Sequence, residues 1–272
     1  MYEVWVERVA SLGRVPGPEV FWMDHFGESL DLAVHILIIR GQGRTMLVNT
    51  GPPLDYLDHM NAVWREELGP ATQISVSPDQ RIDAILARHQ IAPEMVDAVV
   101  LTPLQAYAVG NVDRFPKAKI CVSRTGWVDL FAPRFFDARR HMAVPDRMLQ
   151  HLLFEAWPEQ RIRLLDDEEE IAPGIRTWWA GTHHRSSLAV TVDTERGPVG
   201  FSDVVFYYQN LEEDRPLGIQ ESLEECKIAY HRLRTSTACF VSAYDPTTLD
   251  RFPGGQVSVA KDRGQQGKGG QG

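Results

Sequence analysis

With 272 residues and a formal net charge of −9, the chain is long enough for one large α/β domain with a sizeable buried core. The acidic balance, with no run of five or more basic residues, excludes a site that binds nucleic acid through its phosphates. The N-terminus lacks a charged segment followed by an apolar core, and no apolar stretch reaches 18 residues, so we expect a cytoplasmic protein with neither a signal peptide nor a membrane span.

The predicted elements are runs of strands separated by helices. Gly41 and Gly43 permit a tight turn between the first two strands, and Ser77 before Pro78 marks the start of the first helix. The predicted strands cover residues 34–40, 45–49, 98–101, 119–122, 161–165, 175–180, 188–192, 199–202 and 239–243, and the predicted helices cover residues 79–90, 145–156 and 219–233. Periodicity alone therefore predicts an α/β protein.

The C-terminal residues differ in composition from the rest of the chain. Gly, Gln and Lys dominate this tail, and from Lys261 onward it lacks the apolar side chains that would offset the entropy of ordering it. We expect a single domain over residues 1–256, followed by a disordered tail over residues 257–272.

A disrupted motif follows the third predicted strand. Residues 99–111 read Val-Val-Leu-Thr-Pro-Leu-Gln-Ala-Tyr-Ala-Val-Gly-Asn. They closely resemble the metallo-β-lactamase signature, in which a buried strand ends in Thr-His-Leu-His-x-Asp-His and continues through Gly-Asn. The four metal-binding positions of that signature are here Pro103, Gln105, Tyr107 and Ala108. Proline and alanine offer no ligand atom, and tyrosine or glutamine is a poor substitute for imidazole, thiolate or carboxylate.

Other segments extend the resemblance over residues 2–253 and to the N-acyl homoserine lactonase branch of that superfamily. Residues 181–187, Gly-Thr-His-His-Arg-Ser-Ser, occupy the place of the family's Gly-His-Thr-x-Gly loop, so His183 matches a retained ligand position. Asp203 matches the carboxylate that bridges two metals in active members. Tyr244 stands at the last ligand position, and Asn49 replaces an aspartate that braces the metal site.

The resemblance implies a four-layer αββα sandwich, with two sheets face to face and helices outside. It also implies that two of seven ligands survive in this sequence, His183 and Asp203. Two protein ligands rarely retain zinc, because affinity comes from several deprotonated donors held in one geometry. We therefore expect no cofactor, with the two residues kept as hydrogen-bonded polar groups at the base of a pocket.

The alternative is a single, weakly held zinc, iron or manganese ion. His183 and Asp203 would then need a third donor such as His184, Gln105 or a water molecule. Adjacent residues on an extended segment point to opposite sides, so the two histidines are not expected to share a ligand. Arg185, which follows them, either contributes to an anion pocket or pairs with a surface carboxylate.

Tyr107 and Tyr244 occupy former ligand positions that converge in space. With Gln105 they either line a pocket with hydroxyl and amide groups or fill the volume that the metals left. A phenol with an ordinary pKa of about 10 is a weak general acid, so catalysis by either tyrosine would need a shifted pKa.

Three functions are compatible with this pattern. The lost ligands favour a non-catalytic structural or regulatory subunit, which would form a homodimer or pair with an active hydrolase of the same fold. The second function is a hydrolase of a lactone, amide or related bond with an atypical or metal-free site. The third is a sensor that binds a small molecule in the former active site. Residues 131–136, Phe-Ala-Pro-Arg-Phe-Phe, are the candidate lid or interface segment.

Overall fold

Two β-sheets form the framework of the protein. The computed structural model describes residues 1–133, 144–218 and 221–258, and within them eight strands form one sheet and five form the other. The strands are β1 Glu3–Pro16, β2 Ser29–Gly41, β3 Arg44–Val48, β4 Thr72–Ser75, β5 Ala98–Leu101, β6 Lys119–Ser123, β7 Ile162–Leu165, β8 Glu168–Ala172, β9 Ile175–Trp179, β10 Leu188–Thr194, β11 Gly197–Ser202, β12 Cys239–Ser242 and β13 Gln256–Ser258. The larger sheet has the order β13-β1-β2-β3-β5-β6-β7, with β4 paired to β1, and the smaller sheet has the order β12-β11-β10-β9-β8.

Most helices of the described residues are short and connect these strands. They are α1 Gly17–Val20, α2 Leu57–Glu67, α3 Ile82–Arg88, α4 Ala106–Val109, α5 Arg124–Phe131, α6 Asp146–Gln150, α7 Tyr208–Glu212, α8 Leu223–Ser236 and α9 Thr248–Arg251. A π-helical turn, His151–Ala156, continues α6. Short π-helical insertions of this kind are rare and are often found at functional positions.

The central strands are buried on both faces. All four residues of β5 are buried, and β2 is buried without interruption from Leu32 to Ile39. Continuous burial along a strand requires cover on both sides of its sheet. The two sheets meet where β5 ends and β10 begins, because the Thr102 hydroxyl accepts a hydrogen bond from the Leu188 N–H at 2.7 Å. This junction positions the candidate site.

Each predicted strand corresponds to an observed one, but β1, β4, β8 and β13 were not predicted. The predicted strands 34–40 and 188–192 are also longer in the structure, as β2 and β10. β1 is 14 residues long and pairs with β2 along its length, with register shifts between Arg8 and Ala10 and between Ser11 and Gly13. These bulges break the alternation of buried and exposed side chains on which strand prediction depends.

Two of the three predicted helices begin later in the structure, whereas the helix predicted over residues 145–156 corresponds to α6 and the π-helical turn. The helix predicted over residues 79–90 begins at Ile82, because Pro78–Gln80 forms a separate 3-10 turn. The helix predicted over residues 219–233 begins at Leu223, where the Ser222 side chain accepts from the Glu225 N–H at 3.2 Å. Residues 219 and 220 lie outside the described residues.

The end of the described chain belongs to the larger sheet. β13 pairs antiparallel with β1, so the predicted boundary between residues 256 and 257 falls inside a strand. The remainder of the predicted tail, residues 259–272, lies outside the described residues. Within the described parts of the chain, no helix has the length and apolar character needed to cross a membrane.

Candidate functional site

The candidate site lies where the loops after β5, β9, β11 and β12 meet. The positions that match the family's ligands follow these strands: Pro103 and Gln105 in the loop after β5, Tyr107 and Ala108 in α4, His183 after β9, Asp203 after β11 and Tyr244 after β12. Asp203 is hydrogen-bonded to His183. The His183 ring centroid lies 6.0 Å from that of Tyr244, which lies 6.0 Å from that of Tyr107. Four of the seven positions are therefore in one cluster of contacts.

The Asp203 carboxylate is fully buried and is surrounded by donors from the protein itself. The Thr102 hydroxyl donates to Oδ1 at 2.5 Å, and the Ser187 hydroxyl donates to Oδ2 at 2.5 Å. Nδ1 of His183 lies 3.0 Å from Oδ2, so the expected contact between the histidine and the aspartate is present. Both carboxylate oxygens thus have protein partners.

The two hydroxyls are placed by the ends of strands. Thr102 directly follows β5 and accepts from the Leu188 N–H, while Ser187 directly precedes β10 and accepts from the His184 N–H at 3.1 Å. Each hydroxyl can therefore accept one hydrogen bond and donate its proton to Asp203. For the Thr102 hydroxyl this is the shorter of two contacts to which it can donate, the other being the Leu188 carbonyl oxygen at 3.1 Å. Neither residue was predicted from the sequence. Their only signal was a hydroxyl next to a strand end within a ligand motif.

Asn49 fixes the position of Thr102 through two hydrogen bonds. Its Nδ2 donates to the Thr102 carbonyl oxygen at 2.7 Å, and its Oδ1 accepts from the Thr102 N–H at 2.8 Å. Asn49 also has a φ of 66°, a left-handed conformation that asparagine tolerates better than most residues. An ionised aspartate could accept but not donate, so the amide suits this arrangement better than the carboxylate it replaces.

The prediction that His183 and His184 point to opposite sides is wrong. Thr182 has a φ of 65°, and the His183 N–H donates to the Gly181 carbonyl oxygen at 2.7 Å, so the segment turns instead of extending. The two imidazole centroids consequently lie 3.9 Å apart. Nε2 of the half-buried Gln105 lies 3.5 Å from Nδ1 of His184. The two rings and this amide form one wall of the site.

Aromatic rings occupy the space beside His183. Tyr244 packs edge-on against Phe206 at a centroid distance of 4.7 Å, and Tyr107 lies 6.0 Å from Trp64. Both tyrosines are buried. Burial raises the pKa of Tyr107 and also raises the pKa of Tyr244 well above its ordinary value, so both phenols stay protonated at neutral pH. Their packing favours a space-filling role over acid–base chemistry.

Arg185 pairs with carboxylates, as one of the two sequence interpretations expected. Its guanidinium forms ion pairs with Glu221 and Glu225, and it lies 4.7 Å over the Trp179 ring. Glu225 belongs to α8, so these contacts attach the His183 loop to that helix. The guanidinium charge is therefore balanced within the chain.

The described residues do not fit a two-metal centre. Among them, no group of three or more His, Cys, Asp or Glu side chains is arranged to hold a metal ion. The two surviving ligand positions direct their atoms at each other, because Nδ1 of His183 and Oδ2 of Asp203 are 3.0 Å apart. A zinc ion, which takes about four donors, would have to displace these hydrogen bonds and gain its other ligands from elsewhere.

The comparisons with known proteins bear on the fold. The sequence matches no family model and no curated protein. An N-acyl homoserine lactone hydrolase, solved with N-hexanoyl-L-homoserine at its catalytic metal centre, is 17% identical and superposes with a TM-score of 0.72 over 92% of this chain and 97% of that chain. A probable metal-dependent hydrolase from Staphylococcus aureus is 14% identical, with a TM-score of 0.69 over 90% of this chain and 89% of that chain.

The chain has the metallo-β-lactamase fold. A hydrolase of the β-lactamase superfamily also superposes, with 12% identity and a TM-score of 0.63 over 95% of this chain and 94% of that chain. The four-layer αββα sandwich predicted from the sequence is thus confirmed. At these identities the likeness establishes the metallo-β-lactamase fold and not an activity.

The residues at the seven ligand positions lead to a prediction about metal content. Purified protein exchanged into metal-free buffer should carry well under one equivalent of zinc, iron or manganese, because five of the seven ligand positions lack a good donor. A chelator should also leave the melting temperature unchanged, since metal binding would not contribute to folding. Elemental analysis and thermal melting with and without chelator test this. A stable one-to-one occupancy would contradict it.

Proposed function

We propose that this chain is a non-catalytic, metal-free subunit with a structural or regulatory role, which pairs with an active hydrolase of the same fold. The observation that carries the proposal is that both carboxylate oxygens of Asp203 are hydrogen-bonded within the chain. They accept from Thr102, Ser187 and His183. The residue that matches a bridging metal ligand serves here as a buried hydrogen-bond acceptor at the junction of the two sheets.

The surroundings of Asp203 support the absence of turnover. Asp203, Thr102 and Ser187 have no exposed surface, so a substrate cannot reach them without a rearrangement. Tyr107 and Tyr244 are buried phenols whose raised pKa keeps them protonated, so neither is available as a general base and both are weak acids. The site thus retains polar groups, but it holds them in contacts that stabilise the fold.

The choice of partner follows from the fold. A chain that loses its site can keep the surfaces through which its relatives assemble, because burial of area and not chemistry holds an interface. The structural neighbours are N-acyl homoserine lactone hydrolases and metal-dependent hydrolases by their descriptions. The proposed partner is therefore an intact hydrolase of this kind from the same organism, acting on a lactone, an amide or a related bond.

One observation favours a second candidate, a metal-free hydrolase. His183 directs Nδ1 toward the buried Asp203 carboxylate, which leaves Nε2 pointing away from it. A carboxylate that orients an imidazole in this way is a common arrangement for a general base, which could activate a water molecule against a lactone or amide. His184, whose ring centroid lies 3.9 Å from that of His183, and Gln105, which lies 3.5 Å from His184, are both half-buried.

Co-expression with the intact relative tests the proposal. We expect the two chains to elute together in size-exclusion chromatography, and the hydrolase activity of the relative to change when this chain is withheld. The matched variant is His183→Gln, which keeps a side-chain donor for Asp203 but removes the imidazole. This variant should leave complex formation and the activity of the relative unchanged.

The same variant separates the two candidates. If the isolated wild-type chain hydrolyses a lactone in the presence of a chelator and His183→Gln abolishes that turnover, the metal-free hydrolase is correct. If the wild-type chain is inactive and neither elutes with the relative nor alters its activity, the proposed pairing is wrong.

A further inference from the structure

Four large apolar side chains are exposed on α5 and on the π-helical turn. Val128 and Phe131 on α5 are 56% and 46% exposed, while Phe154 and Trp157 on and after the turn are 75% and 47% exposed. We call these four residues the α5 surface. Scattered apolar side chains are normal on protein surfaces, whereas a contiguous group is typical of an interaction site.

Ring contacts join the two halves of this surface. The Trp127 ring stacks on the Trp157 ring with a centroid distance of 5.7 Å and an interplanar angle of 9°. Trp127 also contacts Phe131 edge-on at 5.1 Å. Val128 and Phe131 are three residues apart on one helical face. The nearly buried Trp127 therefore acts as a rigid base that holds the exposed rings in a single arrangement.

Several charged groups that flank the α5 surface have partners within the chain. Arg124, at the start of α5, pairs with Asp166 at 2.7 Å, and Arg161, after the π-helical turn, pairs with Glu159 at 2.7 Å. Glu155 lies 2.8 Å from His151. These groups do not need opposite charges from a partner. This matters because two copies that each carry a net charge of −9 would repel if acidic groups faced each other at the contact.

The area of the α5 surface also fits binding to the α5 surface of a second copy. Aromatic side chains bury about 150–250 Å² each, so the exposed parts of these four residues amount to about 400 Å². A standard interface buries about 800 Å² per partner, roughly 56–65% of it apolar. The α5 surface thus supplies much of the apolar core for one side of such an interface.

We infer that the α5 surface is the contact between two copies of this chain, related by a two-fold axis. Such an interface uses the same patch on both subunits, and an apolar patch is complementary to itself. The inference does not depend on the proposed pairing with an active hydrolase, because it involves one chain only. Phe131 also belongs to the interface segment predicted from the sequence; residues 134–136 of that segment lie outside the described residues.

Sedimentation of the full chain over a range of concentrations tests the inference. The wild-type protein should form a dimer at micromolar concentration. Phe154→Asp and Val128→Asp place a charge on the α5 surface without opening the core, and each should weaken the dimer at least about tenfold. The matched control is Ile228→Asp, which changes a side chain that is 60% exposed on α8 and should leave the dimer unchanged.

Melting temperatures of the three variants establish that each one folds. A wild-type chain that stays monomeric at high micromolar concentration would overturn the inference, as would a dimer that both α5 variants leave intact. A dimer that Ile228→Asp disrupts as strongly as Phe154→Asp would place the contact elsewhere. Failure of the chain to pair with an active hydrolase would not affect this result.

Discussion

Replacement of Asp203 by alanine should lower the free energy of unfolding by about 3–5 kcal/mol. The substitution removes a fully buried carboxylate and leaves the Thr102 and Ser187 hydroxyls and His183 without their shared acceptor. Buried donors that lose their partner incur the full desolvation cost, and the junction between β5 and β10 depends on one of them. Urea unfolding followed by circular dichroism measures the loss.

A surface carboxylate provides the control for this prediction. Asp193 pairs with Arg176 at 2.6 Å, but both side chains are at least one-third exposed, so Asp193→Ala should cost less than about 1 kcal/mol. The loss at Asp203 should be the same with and without chelator. If Asp203→Ala costs as little as the control, or destabilises only when metal is present, the carboxylate does not have the structural role assigned to it.

Rebuilding the ligand set should restore metal binding. The combined variant carries Pro103→His, Gln105→His, Tyr107→Asp, Ala108→His and Tyr244→His, on a backbone that keeps the frame of the motif. Metal content should rise from well under one equivalent to about one or more, because several good donors again converge on one point. The melting temperature should then fall on addition of chelator, whereas we expect no such change for the wild-type chain.

The hydrogen bond from Ser187 to Asp203 allows a more specific test of metal binding by the rebuilt chain. Ser187 donates to the same oxygen that faces His183, so it competes with a metal for that oxygen. Addition of Ser187→Ala to the rebuilt chain should therefore tighten metal binding, measured by competition with a coloured chelator. The single variant Ser187→Ala in the wild-type background is the control and should bind no metal. A rebuilt chain that folds yet takes up no metal would mean that the ligand positions have been misassigned.

Local signals explain which elements could be predicted from the sequence. β5 is a short, wholly apolar parallel strand, and its burial follows directly from its composition. β8 begins with three glutamates and pairs only with β9 at the end of the smaller sheet, where charged side chains remain in solvent. Such a strand has no apolar alternation to detect, so its presence depends on the tertiary structure.

In the candidate site too, the sequence motif identified some residues, whereas others depend on how the sheets pack. The resemblance to a ligand motif identified Tyr107, His183, Asp203 and Tyr244, and the structure brings these side chains together. It did not identify Thr102 as a partner of Asp203, because the two are 101 residues apart and meet only when the sheets pack. The relative position of the two histidines was predicted wrongly because Thr182 adopts a left-handed backbone conformation.

The paired hydrogen bonds between Asn49 and Thr102 bear on any attempt to build a metal centre into this chain. An aspartate at position 49 would lose the bond to the Thr102 carbonyl oxygen and place a negative charge beside it. That cost would come at once, whereas the benefit of a bracing carboxylate would come only after several metal ligands had been introduced. Substitutions made one at a time would therefore pass through less stable chains. The order of the substitutions matters for this reason, and position 49 is best changed last.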